Sequence, residues 1–362
     1  MGKRKSSTPG EENLLLPIPP STLPIVDTHT HMASTFDFYR GRYKEGKYQT
    51  VYEFVKAMYE GRNVEAVVDV WCEAPVNRTW REFADAAADK EKWGGLEYWF
   101  VMGDHDAKSY TDDVEKDILE AMAHPRCVGW GEMGLDYHYD NSPREIQQAV
   151  FARQLKQAVR LGKSLTIHTR EADDDTERIL KAEVPKDHKI HIHCFTDSPG
   201  FAQRLLDHFP NLYIGITGVI TYSTNTDTST VVHNMVAPPS EPLSESSESS
   251  ASPSSLRILL ETDAPFMVPA NLYDDLPAIR GKKLPVCHTA MIPWTAKFVA
   301  EITNKARLRS VLPTPTPASA DTEAGPEPTT EPEPAEVAQT DAWDADLVMR
   351  VARDNARSVY GV

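Results

Sequence analysis

No run of this chain approaches the roughly 20 consecutive apolar residues that a membrane-spanning helix needs. The N-terminus lacks the apolar segment of a secretory signal, so neither export nor a membrane partner is expected. Cysteine is scarce: Cys72, Cys127, Cys194 and Cys287 lie far apart in 362 residues, with no Cys-x-x-Cys pair. They read as reduced, mostly buried thiols of a cytosolic or nuclear protein, which excludes a disulfide framework. Positive charge is also short, with 38 Lys and Arg against 54 Asp and Glu and a formal net charge of -16. Taken whole, that argues against a nucleic-acid substrate.

The distribution of the acid weakens that argument. Residues 237–255 carry Glu241, Glu245 and Glu248 with no Lys or Arg, and residues 313–346 carry a run from Asp321 to Asp346, again without a base. The rest of the chain is far closer to neutral. Residues 237–255 and 313–341 are rich in Ser, Pro, Thr and Glu and too poor in apolar residues to bury a core. They read as disordered insertions, with a protein partner as a conceivable ligand for their acid. Residues 1–22, polar and proline-rich, read as a disordered lead. Met1-Gly2-Lys3-Arg4-Lys5-Ser6 formally fits a short, permissive myristoylation pattern, but its basic cluster reads as a solvated tail.

Between these tracts, short apolar runs alternate with helical spacing. Strands are expected at 23–26, 66–71, 98–102, 127–132, 165–168, 190–194, 212–216 and 258–263. Helices are expected at 51–59, 83–93, 114–123, 143–162, around 178–182, and at 201–209, 292–302 and 347–360. Residues 33–49, with Phe36, Phe38, Tyr39, Arg40, Arg42, Tyr43 and Lys44, read as an aromatic, basic loop either facing substrate or packing on the barrel. Eight strands alternating with helices imply a parallel sheet closed into an α/β, (β/α)8 TIM barrel, one domain over 23–362 interrupted by the insertions.

The chemistry gathers at the strand ends. Asp27-Thr28-His29-Thr30-His31 follows the first strand, and residues two apart in a strand face one side. An isolated His-x-His is usually structural. Here it recurs with Glu132 on the fourth strand, His168 on the fifth, His193 on the sixth and Asp263 on the eighth. A closed barrel brings all such ends to one face. Four imidazoles and two carboxylates can hold two divalent cations, one at His29, His31 and Asp263, the other at His168 and His193, with Glu132 bridging. Zn²⁺ or Mn²⁺ suits imidazole, whereas Mg²⁺ prefers oxygen. Two cations suit phosphodiester hydrolysis, with Asp263 as general base. The basic loop Arg280–Lys283 follows the eighth strand, which places Arg280 and Lys282 where substrate phosphates would lie.

These stretches resemble the TatD family of metal-dependent deoxyribonucleases, within the wider amidohydrolase-like barrels. The resemblance rests on Val26 to His31, Gly131-Glu132-Met133-Gly134-Leu135-Asp136-Tyr137, Ile167 to Ala172 and Ile192 to Thr196. It continues through Ile214 to Gly218, Leu260 to Phe266 and the closing Asn355 to Gly361. It implies a barrel, DNA cleavage, the two-metal assignment and a phosphate contact for His105. Two departures bear on substrate placement. Asp104-His105-Asp106 lacks the family's proline and second histidine, and Arg280 to His288 lacks its Asn-Glu-Pro. With these changes the chain also resembles a fungal branch of the family, described as partnering a cell-cycle ubiquitin-ligase component. Two rivals stand beside the nuclease. One is a small-molecule hydrolase of the same barrel class, which often bridges its metals with a modified lysine where this chain has Glu132. The other is a non-catalytic scaffold that recruits partners through its acidic tails.

Overall fold

The computed structural model describes residues 8–74, 76–236, 256–311 and 342–362. The two acidic insertions and the first seven residues lie outside the described residues. Eight parallel strands follow one another in chain order. They are β1 (Ile25–Thr30), β2 (Val64–Trp71), β3 (Glu97–Met102), β4 (Cys127–Asp136), β5 (Ser164–Arg170), β6 (Ile190–Ile192), β7 (Leu212–Ile216) and β8 (Ile258–Leu260). Both faces of most strands are buried, which is why they read as apolar runs rather than alternating ones. No ladder is recorded between β8 and β1 among the described residues. The seam closes instead by Asp263 N–H to His29 O at 2.9 Å and His31 N–H to Ala264 O at 3.1 Å. Asp27 braces the same seam from within. Its carboxylate accepts from Thr262 N–H (3.0 Å), Thr262 Oγ1 (2.6 Å) and Thr289 Oγ1 (2.7 Å).

Ten helices among the described residues surround this barrel. They are α1 (Met32–Arg42), α2 (Val51–Tyr59), α3 (Thr79–Ala86), α4 (Asp112–Met122), α5 (Arg144–Arg160), α6 (Asp173–Glu183), α7 (Pro199–His208), α8 (Asp227–Val236), α9 (Ile292–Val311) and α10 (Ala345–Tyr360). α10 is capped by the Asp344 side chain and ends at Gly361 in the left-handed region (φ 79°). It plugs the end of the barrel where the strands begin. Tyr360 Oη lies 2.6 Å from Thr166 Oγ1 and 2.9 Å from His191 Nδ1, and Ser164 Oγ donates to Val359 O. Valines of β1 to β3 complete that floor with Ala356 and Val359.

Several expectations are corrected. The aromatic, basic segment after β1 is largely helix α1. Met32, Thr35 and Tyr39 are buried at a spacing of three and four, and Arg40 secures the following turn by bonds to Gly46 O and Tyr48 O. The disordered lead is corrected for residues 8–22, which strap across the molecule. Leu14 and Leu16 are buried, Tyr39 Oη donates to Glu11, and Arg62 and His288 meet the carbonyls of Pro17 and Leu14. Two buried leucines and these polar contacts dock a polar, proline-rich stretch. The helix expected to reach Trp93 stops at Ala86. Trp93 instead enters the core from a turn, its indole donating to Phe83 O and stacked on Tyr98. α8 went unforeseen, and α9 runs nine residues past the expected Ile302.

Candidate metal centre

Strands β1, β4, β5, β6 and β8, or the residues just past them, each contribute one or two side chains to a cluster at the barrel's C-terminal face. His29 lies inside β1, completely buried, and His31 follows the strand as the residue before α1. Asp69 of β2 accepts from Met32 N–H at 2.8 Å, so α1 starts without needing the His31 ring as a cap. Glu132 sits within β4 rather than at its end, which corrects the expected strand boundary. Pairing with β5 slips between Trp130 and Met133, which re-aims side chains at that point. Gly131 and Gly134 (φ 148° and 156°) make the slip feasible, because any side chain there would strike the carbonyls of Thr166 and His168.

The two oxygens of Glu132 face different histidines. Oε1 lies 3.0 Å from His168 Nδ1 and 2.9 Å from His193 Nε2. Oε2 lies 3.4 Å from His29 Nε2 and 3.9 Å from His31 Nε2. Asp263 Oδ1 closes the second side, 3.4 Å from His31 and 3.7 Å from His29. His105 is half-buried at the rim, its Nε2 3.9 Å from Glu132 Oε1. The structure therefore brings His29, His31, Glu132, His168, His193 and Asp263 together, with His105 beside them. Lys282 lines a cavity that shares residues with the one at the cluster, and Arg280 is exposed, outside that lining.

Electrostatics follow from burial among opposite charges. Burial alone would raise Glu132, but the charge of His193 and hydrogen bonds with His168 and His193 hold it well below the usual carboxylate range. Burial opposes charge on His31, yet Asp263 and Glu132 raise it to about 9. His168 is likewise raised to about 9 against burial, by Asp136 and Glu132. His29, buried beside His193, is lowered to about 4, and burial next to His168 lowers His105 to about 4. Both ring nitrogens of His29 and Nδ1 of His193 are buried without a hydrogen-bond partner. His168 Nδ1 and His193 Nε2 converge to 3.0 Å. Orphaned and converging imidazole nitrogens around carboxylates are what divalent cations satisfy. Donor atoms in groups such as His29, His31 and Glu132, or Glu132, His168 and His193, lie within 4.8 Å of one another. The residues fit metal.

Residues beyond the expected set hold these groups in place. Asp136 Oδ2 lies 3.2 Å from His168 Nε2, which leaves Nδ1 to face Glu132. Its other oxygen accepts from His138 and Tyr139 N–H. Gln147 and Gln154, seven apart on one face of α5, grip the backbones of Asp136 and Asp104. Glu261 accepts from Cys194 N–H and lies 2.7 Å from His191 Nε2, beneath His29. Asp136 belongs to the Gly131–Tyr137 stretch, so a carboxylate four residues beyond Glu132 is a usable signal in the sequence. The glutamines gave none. Cys194, Asp263 and Met267 carry φ of 43°, 48° and 61°, a left-handed strain concentrated at the site.

A family model described as TatD related DNase matches residues 26–361. The human 3'-5' RNA nuclease TATDN2 is 34% identical over 255 residues, which cover 69% of this chain and 30% of that protein. The chain thus spans under a third of that relative's length. YabD of Bacillus subtilis, described as an uncharacterized metal-dependent hydrolase, is 30% identical over 283 residues, or 77% of this chain and 91% of that protein. The crystal structure of a TatD family hydrolase from Entamoeba histolytica superposes with a TM-score of 0.63 at 13% identity, covering 93% of this chain and 97% of that one. That likeness speaks to the barrel alone. Family model, human relative and bacterial relative agree, and the chain belongs to the TatD-related DNase family.

Proposed function

We propose that this protein is a metal-dependent nuclease that hydrolyses phosphodiester bonds of DNA, using two divalent cations. One observation carries the reading: the two oxygens of Glu132 are turned to two separate histidine pairs, as a carboxylate shared between two cations would be. His29, His31 and Asp263 would hold one cation and His168 and His193 the other, each of the type Mn²⁺, Zn²⁺ or Mg²⁺. Bound there, such cations acidify water and neutralise charge on a phosphate. The family's description and the human relative's RNA nuclease name support nucleic acid as the substrate class.

The chain's own groups supply the rest. Asp263 is held as a carboxylate, since His31 and His29 outweigh its burial, and it can accept the proton of the attacking water. His105, lowered to about 4, stays neutral and offers a hydrogen bond rather than a charge to a phosphate oxygen. The test is release of nucleotides from single- and double-stranded DNA and RNA with Mn²⁺, Mg²⁺ or Zn²⁺, against a chelated control. Metal-dependent cleavage is expected; a folded, metal-loaded protein inert on all of them would overturn the reading.

A further inference from the structure

Among the described residues, only three large aromatic side chains are exposed: Phe38 (37%), Tyr139 (63%) and Phe266 (50%). All three follow strand ends at the metal-bearing face, on α1 after β1, just past β4, and just past β8. Phe38 and Phe266 meet edge to face with centroids 5.3 Å apart. Phe266 is tied to the centre through its N–H, which donates to Asp263 O at 3.1 Å. Phe38 is the seventh residue of α1, the helix that opens just after His31. Two rings far apart in the chain thus meet beside the cluster, each leaving apolar surface in water. Exposed rings kept together at the mouth of a site mark a contact surface.

Phe266 also walls a cavity of about 710 Å³, with Tyr222, Met267, Lys282 and Lys283 among its lining. A second cavity of about 510 Å³ contains His168, His193 and Asp263 and shares Tyr222, Thr224 and Met267 with the first. The two therefore adjoin. Neither Lys282 nor Lys283 forms an ion pair among the described residues. Ring faces beside uncompensated ammonium groups, in a space of ligand size, match a nucleotide: base on the rings, phosphate at the lysines.

Resting on the nuclease reading, we propose that Phe38 and Phe266 form a stacking platform for one unpaired base next to the scissile bond, with the strand's next phosphate at Lys282 and Lys283. A base within a duplex has both faces covered by its neighbours, so this platform selects single-stranded or splayed ends.

The test uses metal-loaded protein and a short single-stranded DNA with phosphorothioate linkages that resist cleavage. The fluorescent base 2-aminopurine is placed at each position in turn, and a matching set carries an abasic residue at each position. Stacking should quench emission at one position, and an abasic residue there should weaken binding on the order of tenfold. Phe266→Ala should abolish both effects, leaving ordinary and abasic strands bound alike, while Phe266→Trp restores them. Phe38→Ala should act in the same direction but less. Both side chains are exposed, so the variants are expected to fold, and circular dichroism checks that they do. A Phe266→Ala protein that keeps the full quench and the full preference for a base would overturn the platform. So would one that weakens ordinary and abasic strands by the same factor. If the wild type cleaves DNA but shows no base preference at any position, the platform falls and the nuclease reading stands. If it neither binds nor cleaves, both fall.

Discussion

The two sides of the centre are built differently. The half around His168 and His193 comes from neighbouring strands, β5 and β6, which pair in continuous register beside β4. The half around His29, His31 and Asp263 spans the β8–β1 seam, where the two ends of the barrel meet without a strand ladder among the described residues. Two backbone hydrogen bonds close it, and side chains brace it: Asp27 to Thr262 and Thr289, and Asp69 to the start of α1. The first half inherits its precision from a sheet. The second depends on buried carboxylates and on contacts between residues more than 200 apart in the chain. Glu132 turns one carboxylate oxygen to each half.

The largest effect should come from that shared group. Glu132→Gln keeps the size of the side chain and removes its charge, leaving two cations without a common anion. The folded variant is expected to lose most of its bound metal and essentially all phosphodiesterase activity. Elemental analysis after dialysis, with circular dichroism as the folding control, checks this; retention of two ions at near-normal activity would remove Glu132 from the site. His193→Ala should separate the halves. It strips one ligand from the sheet-built side, so roughly one ion per chain should remain, held across the seam. Loss of both ions would show that the halves do not bind independently, which His29 stacked on His193 at 4.0 Å makes a pointed question.

A smaller, one-sided effect is expected at Asp136. Its carboxylate fixes which nitrogen of His168 faces Glu132. Asp136→Asn should weaken metal affinity at that half by about 10- to 100-fold while leaving the seam half near its wild-type affinity. Competitive chelator titration resolves the two steps, and equal weakening of both would contradict the assignment.

The barrel and its ligand cluster could be read from residues because each rests on a local signal. Buried parallel strands make apolar runs, and ligand-type residues closed those runs at His29, His168 and His193. Glu132 was found although its strand runs four residues further, since its neighbours formed a recognisable stretch. What escaped was non-local. The strap at Leu14 and Leu16 depends on partners at Arg62 and His288, so composition alone pointed to disorder. The helical spacing of Met32, Thr35 and Tyr39 was masked by the charged and aromatic residues between them. Gln147 and Gln154 do their work by setting α5 against β4 and the loop after β3, which no spacing within one segment reveals.

The smallest expected effect bears on the seam half alone and reads out in stability. His288 is fully buried, one residue from Thr289, which bonds Asp27, and its Nε2 lies 3.0 Å from Leu14 O at the strap. That carbonyl accepts, so Nε2 carries the proton, and the buried Nδ1 has no partner. Burial lowers the pKa of His288 from 6.5 to about 4. The unfolded chain therefore takes up a proton here between pH 6.5 and about 4 that the folded chain refuses. Its contribution is fully present above pH 6.5 and is lost as the pH falls toward 4, by at most about 1.4 kcal/mol per pH unit. His288→Gln retains a donor for Leu14 O and cannot titrate. Wild type and variant are compared by urea unfolding in chelator from pH 7.5 to 4, which keeps metal release out of the measurement. His29 and His105 are also lowered, so the wild-type slope is composite, but the difference between the two proteins isolates His288. The variant should lose less stability than wild type on acidification, with the gap opening below pH 6.5. Parallel pH profiles would mean that His288 takes up its proton as readily in the folded chain as in the unfolded one, and with it that burial at the strap does not hold the imidazole neutral.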